Sequence, residues 1–156
     1  MSIAKNKNLN LKNLTLSQVE NELSYLNLNN GGRWQPMIKY QQASNKNIQN
    51  SDKIAIIVPY RDRTRNLHLF LLYMHKFLSK QKANYGIYLV EPIDDLKFNR
   101  AMLINVGFIE SLREESWDCF IFHDVDMLPE NPYNIYNCNH EMPKQMAIAI
   151  NTYTYS

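Results

Sequence analysis

The 156-residue sequence has almost no bias of charge: 17 Lys and Arg against 15 Asp and Glu leave a net charge of +2. Such a balance creates no general field to gather nucleic acid or an anionic membrane, so a phosphate would have to be held by a few placed arginines. Cysteine is scarce as well. Cys119 and Cys138 are the only two, too few for a disulfide-dense mini-domain, and the lack of a C-x-x-C pair removes the usual zinc pattern. Their spacing alone allows either one disulfide or two reduced core thiols. No apolar run approaches the roughly 18–20 residues a membrane helix requires, and no apolar stretch follows Met1. As written, the chain is expected neither to span a membrane nor to carry a recognisable secretion signal, and it could still be a piece of a longer anchored protein. Neither G-x-G-x-x-G nor G-x-x-x-x-G-K-S/T occurs, which argues against a dinucleotide oxidoreductase or a P-loop NTPase.

What is present suffices for one domain. The hydrophobic content of 45% is ordinary for a globular fold, and this length can bury a real core. Residues 1–30 read as a polar lead rich in Asn, Lys, Gln and Ser. Ser17-Gln-Val-Glu20 fits a capping box and predicts a short helix over residues 19–26. Asn29-Asn-Gly-Gly32 is a strong breaker, and residues 41–52 read as a polar linker.

The character changes at Lys53. Ile54-Ala-Ile-Ile-Val58, closed by Pro59, reads as a buried strand. Leu67, Phe70, Leu71, Met74, Phe77 and Leu78 recur at helical spacing. Tyr85-Gly-Ile-Tyr-Leu-Val90 is a second strand. Residues 98–112 form a second helix, with Ala101, Leu103, Ile104, Phe108 and Leu112 as its apolar positions. Cys119-Phe-Ile-Phe122 is a third strand and Met146-Ala-Ile-Ala-Ile150 a fourth. Alternation of strand and helix predicts an α/β fold, a mainly parallel sheet flanked by helices. Right-handed crossovers then place all strand carboxyl ends along one edge, where open α/β sheets bind ligands.

Three segments fall at that edge. Asp124-Val125-Asp126 follows the third strand. Two carboxylates one residue apart are hard oxygen donors suited to Mg²⁺ or Mn²⁺, ions that accept phosphate oxygens in the same shell. If strand geometry persisted, the two would point in opposite directions, one to metal and one to a sugar or ribose. An acidic turn closing a strand is the ordinary alternative. Pro59-Tyr60-Arg61-Asp62-Arg63, continued by Arg65, leaves the first strand. Arg61 and Arg63 offer forked donors to phosphate. Arginine beside a positive helix N-terminus needs a compensating anion, partly Asp62 and otherwise a diphosphate. Phe98-Asn99-Arg100 opens the second helix, where Phe98 is placed to stack on a flat base and Arg100 to reach phosphate or ribose. A core aromatic beside a solvated arginine is the plainer account. His68 and His75, seven residues apart on one helix, read as structural or exposed. His123 immediately precedes Asp124 and could reach the metal region, although strand alternation aims it away from Asp124. Asn13-Leu14-Thr15 is an N-glycosylation sequon of little weight in an Asn-rich stretch.

Taken in order, these segments resemble the β-1,4-galactosyltransferase family, including its invertebrate N-acetylgalactosaminyltransferase members. The resemblance runs from Gly31-Gly32-Arg33-Trp34 to about Ile150. Its strongest stretches are Ile54-Ala-Ile-Ile-Val-Pro-Tyr-Arg-Asp-Arg63, Tyr85-Gly-Ile-Tyr88, Phe98-Asn-Arg-Ala101 with Asn105-Val-Gly-Phe108, and Cys119-Phe-Ile-Phe-His-Asp-Val-Asp126. It implies a GT-A type, Rossmann-like α/β sheet, with residues 31–156 as the donor-binding part of the domain. It also implies inverting transfer of galactose or N-acetylgalactosamine from the UDP-sugar to the 4-hydroxyl of a terminal N-acetylglucosamine on a glycan acceptor. By position, Pro59, Tyr60, Arg61, Asp62 and Arg63 would hold UDP with Phe98, Asn99 and Arg100. Val125 and Asp126 would lie against the donor, Asp126 would also ligate Mn²⁺, and Asp124 would contact the donor on its sugar side. Cys119 and Cys138 match a family disulfide, and the setting implied is the Golgi lumen. Two features depart from the pattern. Met37-Ile38-Lys39 stands where the family usually has a further cysteine. The family's Gly-Trp-Gly-Gly-Glu-Asp-Asp acceptor segment, which carries its catalytic base, and its downstream Met and His metal ligands are not in this sequence. The chain is therefore expected to be truncated at the C-terminus relative to the family. The catalytic base is expected beyond Ser156, so no residue here is assigned that role, and an inactive UDP-sugar-binding piece stands as an alternative. A phosphatase of haloacid type also follows a strand with D-x-D. It fits less well, because Met127-Leu128-Pro129 follows Asp126 and no later lysine and acid pair is evident.

Overall fold

The computed structural model describes residues 15, 17, 18, 21, 33, 34, 52–93 and 97–147. Six elements follow one another among these residues: β1 (Arg33–Trp34), β2 (Lys53–Pro59), α1 (Thr64–Lys80), β3 (Asn84–Val90), α2 (Arg100–Glu114) and β4 (Cys119–Phe122). They build one four-stranded sheet in the order β1-β3-β2-β4. β2 is central and pairs in parallel with β3 on one side and β4 on the other, while the short β1 is antiparallel to β3. The chain steps from β2 to β3 in one direction and then crosses back past β2 to β4. Right-handed crossovers taken in opposite directions place the two helices on opposite faces.

The side chains of β2 divide accordingly. Ile54, Ile56 and Val58 join Phe70, Met74 and Leu78 of α1 in the main core, with Tyr85 and Ile87 of β3. Leu67, Leu71 and Phe77 pack at its margin, as the helical spacing predicts. Burial on α1 extends beyond the predicted stripe to Leu72 and His75. His75 is a core residue: its Nδ1 lies 2.5 Å from the Tyr85 hydroxyl, and burial pushes its pKa down to about 4.

The opposite face corrects the predicted stripe of α2. The residues buried there are Leu103, Gly107 and Ser111, spaced four apart on one side of the helix. Phe108 and Leu112, read from the sequence as apolar core positions, are 37% and 46% exposed. Small residues face the sheet because the helix lies very close to it. A Cβ on Gly107 would stand 2.5 Å from Ile57 Cγ2 and 2.6 Å from Val90 Cγ2. Both neighbours are β-branched and stiff, so neither can swing aside. Gly107→Ala should therefore destabilise the fold by about 1–2 kcal/mol, because overpacking outweighs the gain of roughly 1 kcal/mol in helix propensity. A denaturant midpoint equal to or above that of the parent chain would refute this close approach.

Strand boundaries agree with the sequence reading to within a residue for β2, β3 and β4. Part of the expected fourth strand is absent, since Met146 and Ala147 belong to no strand; residues 148–150 lie outside the described residues. Of the helix expected over residues 19–26, only Asn21 is described, and it is helical. A reciprocal capping pair forms two residues earlier than the predicted box: the Thr15 N–H donates to Gln18 Oε1 at 2.9 Å, and the Gln18 N–H reaches Thr15 Oγ1 at 3.4 Å. The breaker at residues 29–32 and most of the linker at 41–52 lie outside the described residues.

Candidate donor and metal site

Each parallel strand ends by releasing its chain at the same edge, and the three exits meet there. β2 leads into Tyr60-Arg61-Asp62-Arg63 and then α1. β3 leads towards Phe98-Asn99 and α2, and β4 leads into His123-Asp124-Val125-Asp126. The pairing continues beyond the strands, with the Tyr60 N–H donating to the Val90 carbonyl and the His123 N–H to the Ile57 carbonyl, each at 2.9 Å. The three exits are thus fixed to one another by backbone hydrogen bonds before any side chain contributes.

The exit of β2 turns sharply because Asp62 adopts a left-handed conformation, φ 53°, a region that Asp tolerates better than most side chains. Arg63 is the N-cap of α1 and forms no side-chain cap. Its Nη1 instead bonds Asp126 Oδ2. Arg100, the first residue of α2, places Nη2 2.7 Å from Asp124 Oδ1. The Arg61 guanidinium lies over the Phe98 ring, 5.3 Å from its centre, within cation–π range. Phe98 is 43% exposed, so the alternative of an ordinary core aromatic does not hold. Six of the predicted residues therefore meet in three contacts, each joining two different strand exits.

The remaining predicted residues are placed differently. Pro59, Tyr60 and Val125 are buried, and Tyr60 and Val125 belong to the main core. They can meet a ligand through backbone rather than side chain. Asn99 caps α2, its Oδ1 accepting from the Met102 N–H at 3.1 Å. Asp62 is exposed. The sequence reading of opposed carboxylates depended on strand geometry persisting, and it does not. β4 ends at Phe122, and a turn follows in which the Met127 N–H reaches the Asp124 carbonyl at 3.2 Å. Asp124 and Asp126 diverge because the turn directs them to different arginines. The catalytic base is expected beyond Ser156, and Ser156 itself lies outside the described residues.

His123 meets the backbone carbonyl of Asp124, whose carboxylate is paired with Arg100. Its Nδ1 sits 2.8 Å from the Asp124 carbonyl oxygen and its Nε2 2.9 Å from the Tyr136 hydroxyl. Burial lowers its pKa, outweighing the opposing influence of Asp124. Tyr136 is itself buried, which raises its pKa, and the neighbouring Tyr73 adds to the rise. The Tyr136 backbone N–H donates to Gln81 Oε1 at 3.0 Å. Cys138, two residues on, is disulfide-bonded to Cys119 at the start of β4. The acidic turn is therefore braced from behind by a histidine, a tyrosine and a disulfide. Tyr136 and Gln81 carry no signal in the sequence, because the separation of 13 between His123 and Tyr136 follows no structural period.

Among the described residues, no group of three or more His, Cys, Asp or Glu side chains gathers as a complete metal shell. Asp126, 44% exposed, remains available as a hard ligand. One or two carboxylates near donors for phosphate suit a divalent cation held largely by substrate oxygens and water.

Residues 2–139 match the family described as the N-terminal region of glycosyl transferase group 7. The chain belongs to this family. Human β-1,4-galactosyltransferase 4 is 48% identical over 103 residues, covering 66% of this chain and 30% of that protein. Human β-1,4-galactosyltransferase 3 is 43% identical over 126 residues, covering 81% of this chain and 30% of that one. Among solved structures, a Drosophila β-1,4-galactosyltransferase 7 variant in complex with manganese, UDP-Gal and xylobiose is similar. Its TM-score is 0.53 at 38% identity, covering 58% of this chain and 37% of that one. The chain thus spans about 30% of the length of the curated relatives it matches. Within group 7, its parallel sheet with flanking helices is the GT-A type arrangement that the motifs imply.

Proposed function

We propose that residues 31–156 form the donor-binding part of a β-1,4-galactosyltransferase, holding the UDP of UDP-galactose or UDP-N-acetylgalactosamine together with Mn²⁺. The observation that carries this reading is the convergence of Arg61, Arg63, Arg100, Phe98, Asp124 and Asp126 from three strand exits onto one edge of the sheet. In it, Phe98 offers a flat exposed face for the uracil, and Arg61, Arg63 and Arg100 are forked donors for the diphosphate. Asp124 lies towards the sugar, and Asp126 is the ligand this chain supplies to the metal. Bound there, Mn²⁺ would act as a Lewis acid that neutralises charge on the departing diphosphate. Pro59, Tyr60 and Val125 shape the floor through backbone, and Asn99 sets the start of α2 so that Arg100 points into the site.

The reaction to which this donor site belongs is inverting transfer to the 4-hydroxyl of a terminal N-acetylglucosamine, in the Golgi lumen. Support comes from the order and spacing of the matched segments and from the relatives' shared activity name. Calorimetric titration of UDP into the 156-residue chain should show affinity raised at least about tenfold by Mn²⁺, the scale at which metal-site contacts act. With UDP-galactose, Mn²⁺ and either N-acetylglucosamine or xylobiose, this polypeptide alone should form neither the disaccharide nor the trisaccharide, because the family's acceptor segment with its base is not among these residues. UDP affinity indifferent to Mn²⁺ would remove the metal role, and formation of either product would show that a base is present.

A further inference from the structure

We infer that Asp126 and Asp124 serve as resident counter-ions for the arginines of the donor site, and that Arg63 exchanges from Asp126 to the donor diphosphate when a divalent cation takes up Asp126. This inference rests on the donor-site reading above and adds to it a coupling between metal and nucleotide.

Position is the first argument. Arg63 and Arg100 stand at the N-termini of α1 and α2, and neither helix has an acidic residue in its first turn. A helix N-terminus carries partial positive charge and unpaired N–H groups, so an arginine there is unfavourable until an anion arrives. Apart from Asp62, which adjoins Arg63, the anions present come from elsewhere in the chain, since Asp126 and Asp124 both lie in the turn after β4. Each takes one arginine, Arg63 to Asp126 and Arg100 to Asp124. The carboxylates thus occupy the arginines that the diphosphate would use.

Exposure is the second argument. The side chains of Arg63 and Asp126 are 57% and 44% exposed, and those of Arg100 and Asp124 are 59% and 27%. Pairs this open to water are weak and exchange readily. A long arginine side chain can leave its partner without disturbing the core.

Charge supplies the direction of the exchange. A dication on Asp126 turns a locally negative group into a positive one, so Arg63 is repelled where it had been attracted. A diphosphate beside the same cation offers Arg63 a stronger, forked partner. Without metal, Asp126 competes with the diphosphate for Arg63. With metal, that competition ends.

This predicts effects of opposite sign that a merely structural ion pair does not give. UDP is titrated calorimetrically in EDTA into the 156-residue chain, Asp126→Asn, Arg63→Gln and the double variant, with melting curves recorded for each. Asp126→Asn should tighten metal-free UDP binding about two- to fivefold, the range set by an exposed ion pair. Arg63→Gln should weaken it, and in that background Asp126→Asn should bring no further gain. Mn²⁺ alone, followed by its electron paramagnetic resonance signal, should bind Arg63→Gln about two- to fivefold more tightly than the parent chain. Asp124→Asn, freeing Arg100, provides a parallel arm with the same sign as Asp126→Asn. Unchanged or weaker metal-free UDP binding in both aspartate variants would overturn the inference. A gain from Asp126→Asn that persists in the Arg63→Gln background would also do so, by assigning the effect to through-space charge alone. Absence of UDP binding to the parent chain even with Mn²⁺ has a different meaning: it removes the donor-site reading itself, and the inference with it.

Discussion

Asp126→Ala should abolish the Mn²⁺-dependent part of UDP affinity, a loss of at least about 10- to 100-fold. That is the range seen when even the outer partners of a metal site are removed. The expectation follows from placement. Asp126 is the last residue of the turn that β4 delivers to the sheet edge, with its carboxylate half-exposed and held by Arg63 rather than buried. Asp124→Ala should act differently, leaving most of the metal dependence of UDP binding in place, because it removes the partner of Arg100 at the opening of α2 rather than the metal ligand. His123→Ala, which the sequence alone would offer as a silent control, is unsuitable. His123 bridges the Asp124 carbonyl and the Tyr136 hydroxyl, and its loss should loosen the turn. Glu110→Ala, at an exposed position on α2 whose partner is Arg113, is the better comparison. UDP titrations in EDTA and in Mn²⁺ decide the matter, and a Mn²⁺ effect that survives Asp126→Ala would remove Asp126 from the metal site.

The second large effect concerns stability. Replacing both Cys119 and Cys138 by alanine should cost about 3 kcal/mol, the loop-closure value for a bridge spanning some 20 residues. The bridge joins residues 19 apart in sequence. Most of the bridged segment is irregular chain, and it carries His123, Asp124, Asp126 and Tyr136. Few regular hydrogen bonds secure it, although the Tyr73 hydroxyl bonds the Pro129 carbonyl and Gln81 Nε2 reaches the Asn134 carbonyl at 3.1 Å. Loss of the bridge should therefore lower the melting temperature by several degrees. It should also weaken UDP binding, because the same loop presents the acids. Dithiothreitol should reproduce both changes in the parent chain and neither in the double variant. Coincident melting curves with and without reductant would show that the bridge contributes nothing to the fold.

Much of the scaffold is legible in the chain itself. Runs such as Ile54-Ala-Ile-Ile-Val58 and Cys119-Phe-Ile-Phe122 are too apolar and too β-rich to lie anywhere but inside a sheet. The stripe of Phe70, Met74 and Leu78 has one helical face to bury. Those local preferences set the elements, and the alternation of strand and helix made their parallel arrangement the expected outcome. They also placed Asp124, Arg61 and Phe98 at strand exits or a helix start, which is why the site could be outlined beforehand. The disulfide was of another kind: spacing left it open, and only the family resemblance pointed to it.

What periodicity could not supply was pairing at a distance. Arg63 meets Asp126 across 63 residues, a contact that exists because β4 crossed back to lie beside β2 rather than beyond β3. Strand order is a global property of packing, and no local run of residues encodes it. The choice of Leu103, Gly107 and Ser111 as the buried face of α2 is likewise a consequence of how closely that helix approaches Ile57 and Val90. Hydrophobicity alone favoured Phe108 and Leu112. By itself, the sequence determined which segments are strands and helices and which chemistry they carry to one edge. Only the tertiary structure decided which arginine faces which acid and what braces the acidic turn, because those contacts depend on strand order and on the distance between layers.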